Sequence, residues 1–351
     1  MGYKLWLKVL LFSSFFSFML IVTFNYYIDS FQLFDKKKNT VSSDLLNGYY
    51  ISSKIISVNR VENIYESMIK NSKFTDVLAM GSSRTMLLHK ELFLTNNINY
   101  FNFTDGTAGL KHYVRILGLF NKYKKQIPKK IILGVDPWVF DKKVSLNSVA
   151  TILKSKQDIE SKSKYSQLFN FEYTKINLLS LFKSNTYKKS KNLGSLISGN
   201  NMVMSSSGDF YYPIKKNQIN SLEISKIVDN NIIKCNKINY NTKCINYKEL
   251  NNFNEMAYLL DYLEENKIEV TILLFPFEPV FYNHISHNYS FFESNERIIN
   301  FFKSKKVKIK GSYDPLVFNL NSTDFMDSIH LSESGMKKFL TNLNLITEDK
   351  N

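Results

Sequence analysis

Short apolar runs that alternate with helix-period segments constrain the fold of this chain more than any other feature. Segments with apolar residues at helical spacing cover residues 110–123, 253–265 and 290–303 and a stretch from about Ser332. The runs between them are too short for helices and are rich in Ile, Leu, Val and Phe. Strands that alternate with helices are typical of a parallel sheet with helices on both faces. The sequence therefore predicts an α/β fold with five strands, at residues 76–80, 98–103, 130–135, 267–275 and 307–309.

The same pattern divides the chain into regions. Residues 72–140 and 250–351 carry the predicted strands and helices and form the predicted α/β domain. Residues 141–249 are rich in Ser, Lys and Asn and have no clean period, so we interpret them as an insertion over the sheet edge. Residues 26–71 read as a neck, with helical spacing at about 50–68.

Residues 1–25 predict an N-terminal membrane anchor. Residues 5–24 hold one charge, Lys8, and twenty helical residues span about 30 Å, the thickness of the bilayer core. Lys4 and Lys8 favour a cytoplasmic N-terminus, whereas the lysines at 36–38 weaken that orientation. A cleaved signal peptide is the alternative, but no small-x-small cleavage site follows. We expect a single-pass protein of the cytoplasmic membrane, bound to lipid through residues 5–24, with its main domain on the extracytoplasmic side.

Two cysteines, Cys235 and Cys244, are the only ones in the chain. In an exported domain, an even count and a short separation fit one disulfide that closes a small loop. Two unrelated thiols are the alternative. The pair lacks the Cys-x-x-Cys spacing and the nearby histidine of a zinc site, so no metal is predicted.

The formal net charge of +15 comes from lysines spread along the whole chain. This charge fits a solvated, Lys-rich surface, and it also fits attraction to an anionic glycan, a phosphate polymer or lipid head groups. No zinc-finger spacing and no basic helix with interleaved aromatics is present, which argues against a nucleic-acid partner.

The chemistry is predicted from a serine turn and a distant Asp–His pair. Ser82 and Ser83 follow the first strand in the sequence Gly-Ser-Ser-Arg, and Asp327 and His330 precede the last helix. Sites of open parallel sheets form beyond the carboxyl ends of the strands, where both segments lie. A serine nucleophile needs a histidine base and a carboxylate that orients the base. We select Ser83 as nucleophile, His330 as base and Asp327 as orienting carboxylate. The structural alternatives are that a serine of this turn only caps the following helix, that Asp327 only forms a turn and that His330 is an ordinary surface residue.

Neighbouring residues at the same edge suggest supporting roles. Arg84 lies where a cation opposes the helix dipole, so we expect it to contact an anionic group of the substrate or a loop carboxylate; a solvated or salt-bridged arginine without such a role is the alternative. An oxyanion hole needs hydrogen-bond donors. The Ser83 amide is one candidate donor, and an amide at Gly106 or Gly109 is the second.

Together these motifs resemble the SGNH, or GDSL-like, hydrolase superfamily over residues 72–140 and 250–345. The variant with Ser-Ser and an N-terminal anchor is similar to envelope proteins such as the D-alanine-transfer protein of teichoic acid synthesis and the alginate O-acetylation proteins. The resemblance implies a three-layer, flavodoxin-like fold and a cofactor-free serine esterase or O-acyltransferase. It implies action on an acylated envelope polysaccharide or acyl donor through an acyl-serine intermediate, with a membrane-bound acyltransferase as a candidate partner. The motifs that carry it are Gly81-Ser82-Ser83, Gly106 or Gly109, and Asp327-x-x-His330 with Leu331 and Gly335.

One position departs from the family pattern. Its third block should read Gly-x-Asn, whose amide helps to hold the oxyanion, but this chain has Gly134-Val135-Asp136. An ionised aspartate cannot donate a hydrogen bond. Either Asp136 is protonated, or Asn102 supplies the amide, or Asp136 pairs with Arg84 and the hole is built from backbone alone. A catalytically inactive binding or scaffold protein of a polysaccharide assembly is the alternative function, and the insertion could serve as a docking module.

Overall fold

We describe the protein from a computed structural model. The structure describes residues 2–28, 38–52, 62–71, 75–93, 98–106, 108–123, 125–140, 145–154, 167–182, 188–214, 220–236, 250–288 and 291–344.

Nine strands and twelve α-helices lie within the described residues. The strands are β1 (Tyr50–Ser52), β2 (Val77–Gly81), β3 (Tyr100–Thr104), β4 (Lys130–Gly134), β5 (Lys188–Ser190), β6 (Val203–Met204), β7 (Phe210–Tyr211), β8 (Glu269–Leu274) and β9 (Lys308–Gly311). The helices are α1 (Tyr3–Ile28), α2 (Lys38–Leu46), α3 (Glu62–Asn71), α4 (Leu110–Lys122), α5 (Leu146–Lys154), α6 (Phe171–Phe182), α7 (Gly194–Ile197), α8 (Ser221–Asn236), α9 (Phe253–Glu265), α10 (Pro279–His287), α11 (Phe291–Ser304) and α12 (Glu333–Asn342).

Five strands form a parallel sheet in the order β3–β2–β4–β8–β9. The register places Met80 of β2 between Phe103 of β3 and Leu133 of β4. These are the five strands that the apolar runs predict, with ends shifted by one or two residues. The α/β class and the five-stranded parallel sheet are thus confirmed. The runs were readable because a strand that is buried on both faces needs apolar residues at nearly every position.

Successive side chains of the strands pack on opposite faces of the sheet, as strand geometry requires. Leu78 and Met80 join the larger core cluster, to which α3, α4 and α9 contribute. Ala79 joins a second cluster, with Leu273 of β8 and Phe339 of α12. The sheet is therefore covered on both faces.

Residues 26–71, predicted as a neck, contribute to the same core where they are described. Val41 and Leu45 of α2 and Tyr65 and Met68 of α3 are buried in the larger cluster. The prediction of a helix over about 50–68 was wrong in its first part. Tyr50–Ser52 is a strand, and the helix begins at Glu62.

The predicted insertion, residues 141–249, is joined to the rest by a second sheet. Its strands β5, β6 and β7 form an antiparallel sheet with β1, in the order β5–β1–β6–β7. Phe210 of β7 and Ile224 and Val228 of α8 are buried in the larger core cluster. Because β1 pairs with β5 on one edge and β6 on the other, the insertion and the preceding segment are folded together.

Helix α1 is long and apolar enough to cross a membrane, and its most apolar window has no buried residue. Among the described residues it is the one helix with these properties. This agrees with a single N-terminal membrane segment.

Cys235 lies in α8 and is disulfide-bonded. Cys244, the only other cysteine of the chain, lies outside the described residues.

Asp209, in the turn before β7, supplies a pH-dependent contribution to stability. It is buried, accepts hydrogen bonds from the Ser207 hydroxyl (2.5 Å) and the Lys90 amide (3.2 Å), and burial raises its pKa to about 8. A pKa raised in the folded state means that the contribution is complete below about pH 4 and is lost as the pH rises through about 8. At about 1.4 kcal/mol per pKa unit, the difference between an ordinary Asp pKa of about 4 and a pKa of about 8 corresponds to a loss of about 6 kcal/mol.

We therefore expect the free energy of unfolding to fall between pH 4 and pH 9, and Asp209→Asn to flatten this profile. Chemical denaturation of the detergent-solubilised chain at several pH values measures it. Asp261→Asn, at an exposed ion pair with Lys305, is the control. Parallel profiles for the unsubstituted chain and Asp209→Asn would contradict the expectation.

Candidate active site

The turn after β2 exposes one of its two serines and buries the other. Ser82 is buried, and its Oγ accepts the Arg84 amide (3.2 Å) as the cap of a 3-10 turn, Ser83–Thr85. Ser83 is half-buried and lies at the carboxyl edge of the sheet. The alternative role of a helix cap, which either serine could have had, thus belongs to Ser82. Ser83 carries the accessible hydroxyl.

His330 meets Ser83 from the other end of the chain. Its Nε2 lies 2.7 Å from Ser83 Oγ, across 247 positions of sequence. Its Nδ1 lies 2.8 Å from Asp327 Oδ2. Serine, histidine and aspartate therefore form one continuous chain of hydrogen bonds, as their predicted roles require.

The hydrogen bonds that Asp327 accepts fix the histidine tautomer. Asp327 Oδ1 accepts the backbone amides of Ile329 (2.8 Å) and His330 (3.0 Å), which leaves Oδ2 for the imidazole. A carboxylate can only accept, so Nδ1 carries a proton and Nε2 presents its lone pair to the Ser83 hydroxyl. This is the arrangement that general-base activation of a serine needs.

The loop that carries Asp327 and His330 is held on several sides. An isolated bridge joins Phe325 to Leu331. The Glu278 amide donates to the Ser328 carbonyl (3.1 Å), and the Asn231 side chain donates to the Ser328 hydroxyl (3.0 Å). Asn231 belongs to α8, so the predicted insertion directly contacts the loop that carries Asp327 and His330.

Glu278 is a buried carboxylate that sequence reasoning did not single out. Its Oε2 accepts the Phe281 amide (2.9 Å) as the cap of α10, and its Oε1 accepts the Ser322 hydroxyl (2.6 Å). The pair Glu278-Pro279 is a helix-start signal that could have indicated the cap. Asn231 had no such signal, because its partner lies 97 positions away.

Arg84 is paired inside the protein. It is 2% exposed, and its Nη1 donates to Asp136 Oδ1 at 2.7 Å. Its Nη2 donates to the carbonyls of Phe275 and Pro276, both at 2.5 Å. The guanidinium also lies 4.3 Å from the ring centre of Phe277. Of the two partners considered for Arg84, the structure provides the loop carboxylate, and the Arg84 guanidinium is buried away from the surface.

Asp136 ties the nucleophile turn to the end of β4. Its Oδ2 accepts the Ser82 hydroxyl at 2.5 Å, while Oδ1 accepts Arg84. Burial raises the pKa of Asp136, and the Arg84 cation and the Ser82 hydroxyl offset part of that rise. An ionised Asp136 and the Arg84 guanidinium together make the buried pair neutral.

The candidate oxyanion donors differ in their availability. The side-chain amide of Asn102 is buried and donates to the Thr85 carbonyl (2.9 Å), so the structure does not bring it to Ser83. The amides of Ser83 and Gly109 donate to no described residue. The Asp105 amide donates to the Gly81 carbonyl (3.0 Å), which places the loop before α4 beside the nucleophile turn.

The two candidate glycines lie in that same loop. Gly109 precedes α4, and a Cβ added there would meet nothing within 4 Å. Gly106 is half-buried in the turn after Asp105. Both remain candidates for the second backbone donor, and the open space at Gly109 favours it.

Two glycines permit the close packing beneath Ser83. A Cβ at Gly81 or at Gly134 would overlap the side chain of Thr85, whose Oγ1 donates to the Ser82 carbonyl (2.7 Å). In α12, a Cβ at Gly335 would overlap the Asp324 carbonyl. These positions need glycine because another backbone or a branched side chain occupies the space.

Within the described residues, no group of three or more His, Cys, Asp or Glu side chains is arranged to hold a metal ion. No protein-family model matches the chain, and no curated protein matches its sequence.

Proposed function

We propose that the protein is a membrane-anchored serine esterase or O-acyltransferase of the SGNH type. The single observation that carries this proposal is the hydrogen-bonded series Ser83–His330–Asp327 at the carboxyl edge of a parallel sheet. Ser83, Asp327 and His330 also belong to the motifs that resemble the SGNH superfamily, and the fold brings them together from distant positions in the chain.

The strand order supports the fold part of the proposal. Counted along the chain, the parallel strands lie in the order 2-1-3-4-5, which is the flavodoxin-like order. Ligands of such sheets bind at the switch point between the first and third strands. Ser83 follows β2 and Asp136 follows β4, the two strands on either side of that point.

The proposed reaction uses only groups of the chain. His330 Nε2 takes the proton of the Ser83 hydroxyl as Oγ attacks the carbonyl carbon of an acyl ester. The Ser83 amide and a loop amide, for which Gly109 is our first choice, stabilise the resulting oxyanion. His330 then protonates the leaving alcohol, and an acyl-serine remains.

In the second half of the reaction, water or a sugar hydroxyl attacks the acyl-serine. His330 takes the proton of the attacking group and returns it to Ser83 Oγ. Asp327 stays ionised and stabilises the imidazolium. Water as acceptor gives an esterase, and a sugar hydroxyl gives an O-acyltransferase.

Helix α1 supports a location at the membrane, and Lys4 and Lys8 near its N-terminal end favour an extracytoplasmic domain. We propose an envelope polysaccharide or a related polymer as the substrate, with the acyl group drawn from an ester donor or from a membrane-bound acyltransferase.

A second candidate is a binding or scaffold protein with the same fold and no turnover. The observation that favours it is the Arg84–Asp136 pair, because Asp136 occupies the position of the amide donor of the family pattern. If the protein is an esterase or acyltransferase, its oxyanion hole must work with backbone amides alone, without the side-chain amide of the family pattern.

Labelling with a fluorophosphonate probe separates the two candidates. We expect the full-length chain in detergent to be labelled, and Ser83→Ala to abolish labelling, because the probe reacts with an activated serine. Ser82→Ala is expected to remain labelled at a lower rate, since it loses a hydrogen bond to Asp136 but keeps the nucleophile.

Ser206→Ala is the control, because Ser206 is exposed in the turn between β6 and β7. It is expected to be labelled like the unsubstituted chain. An unlabelled full-length chain would favour the scaffold function, and labelling that survives Ser83→Ala would contradict the role of Ser83 as nucleophile.

A further inference from the structure

Helix α6, in the predicted insertion, is clasped to the N-terminal helix through buried amide side chains. Asn25 of α1 is 0% exposed. Its Nδ2 donates to the Leu168 carbonyl and to Thr174 Oγ1, both at 2.8 Å, and its Oδ1 accepts from Asn177 Nδ2 at 3.0 Å. A polar network of this kind holds two helices in one register, since each group would be costly to bury unpaired.

The clasp lies at the end of α1 that meets the membrane surface if α1 spans the bilayer. Tyr26 and Tyr27 are exposed beside it, and tyrosine is enriched at membrane–water interfaces. Phe169 stacks on Phe18 of α1, with ring centres 5.1 Å apart. Phe18 precedes Asn25 by seven residues, which at 1.5 Å per residue places this contact roughly 10 Å closer to the bilayer centre.

The outer face of α6 is apolar. Phe171, Leu178 and Leu181 lie on it, and they are 79%, 49% and 54% exposed. Exposed Lys175 lies on the same face, and a lysine of an interfacial helix can extend its charge to the head groups. The opposite face, with Tyr173 and Asn177, is buried.

We propose that Phe169 and the outer face of α6 lie in the lipid at the membrane surface, as a second attachment that does not span the bilayer. The lipid bilayer is the occupant, because this apolar face continues the lipid-facing surface of α1 at the depth set by Phe18. Helices α1 and α6 belong to distant segments of the chain, so each attaches the domain to the membrane at a different point. Two attachments restrict the tilt of the domain, whereas one anchor would leave it free. The proposal rests on α1 being embedded and is independent of the chemistry at Ser83.

Spin labels on single introduced cysteines test the proposal in the full-length chain. The chain is placed in nanodiscs of phosphatidylcholine and phosphatidylglycerol and labelled without reductant, so that disulfide-bonded Cys235 is not modified. Labels at Phe171→Cys and Leu178→Cys are compared with Phe12→Cys, in the apolar part of α1, and Val317→Cys, exposed on the main domain. Power saturation with oxygen and with a water-soluble nickel chelate reports the immersion of each label.

We expect the labels at 171 and 178 to be accessible to oxygen and protected from nickel, like the label at 12, and the label at 317 to show the reverse. Asn25→Leu removes the clasp and should raise nickel access at 171 while leaving the label at 12 immersed. Nickel access at 171 equal to that at 317 would overturn the proposal. Protection from both reagents would also overturn it, since a second protein copy would then cover the face. A water-exposed label at 12 would instead show that α1 is not embedded.

Discussion

Asp327→Asn is expected to lower kcat for a small acetyl ester by about 10⁴-fold, with little change in KM. Asn can keep its carbonyl oxygen toward the amides of Ile329 and His330, as Oδ1 of Asp327 does. Its NH2 group then faces His330 Nδ1 and donates to it. The proton of the imidazole moves to Nε2, which can no longer accept the proton of Ser83.

The measurement is steady-state turnover together with the rate of fluorophosphonate labelling, which should fall in parallel. Because the substitution preserves shape, the unfolding midpoint should change little. Asp261→Asn, at a surface ion pair, should keep full activity. Turnover within tenfold of the unsubstituted chain in Asp327→Asn would show that the Asp–His contact does not set the tautomer for catalysis.

Arg84→Met is expected to cost about 3–5 kcal/mol of unfolding free energy, because it leaves the buried Asp136 carboxylate without its partner. It also removes the donors to the carbonyls of Phe275 and Pro276, at the end of β8. The turn that presents Ser83 should then lose its fixed position, and labelling of Ser83 should slow. Denaturation in detergent and the labelling rate measure the two effects.

A double-mutant cycle shows whether the charge pair causes the loss. Asp136→Asn alone strands the Arg84 charge and should also destabilise the chain. Arg84→Met with Asp136→Asn removes both charges and should recover much of the loss. Arg297→Met is the matched control, because Arg297 is exposed over the ring of Phe253 and a contact of that kind contributes about 0.5–1 kcal/mol. Additive losses in the double variant would mean that Arg84 and Asp136 act independently.

The parallel sheet was predictable from the sequence because its signal is local. Runs such as the one that forms β2, Val77–Gly81, have no polar side chain, and such a strand can be buried only between two layers. Helix α9 was predicted with the bounds that the structure shows, Phe253–Glu265, because its apolar period is regular and its ends are polar. Each of these features is written within fewer than fifteen consecutive residues.

The second sheet was not predictable in the same way. Its strands have two or three residues each, and β1 pairs with β5 more than 130 positions later. A strand that short has no measurable alternation, so residues 26–71 and 141–249 read as a neck and an insertion. Their place beside the main core depends on pairing across distant segments, which propensity does not encode.

The candidate site was likewise predictable in part from the sequence and in part only from the structure. The residue types, Ser83, Asp327 and His330, and their position after strands were open to sequence reasoning, because serine activation requires that chemistry and parallel strands end at one edge. Ser83 was selected over Ser82 from the sequence, and the structure adds that Ser82 is buried whereas Ser83 is half-buried. Among the three options for Asp136, the structure provides the ion pair with Arg84.

By itself, the sequence determined the layers of the main domain, the apolar N-terminal helix and the chemical groups that could react. Only the tertiary structure decided that Ser83 and His330 meet, that Arg84 is an internal ion-pair partner, and that α6 packs on α1. The physical reason is that hydrophobic periodicity acts between neighbours in the chain. A hydrogen bond across 247 positions exists only after the core has packed and has brought both ends to one edge of the sheet.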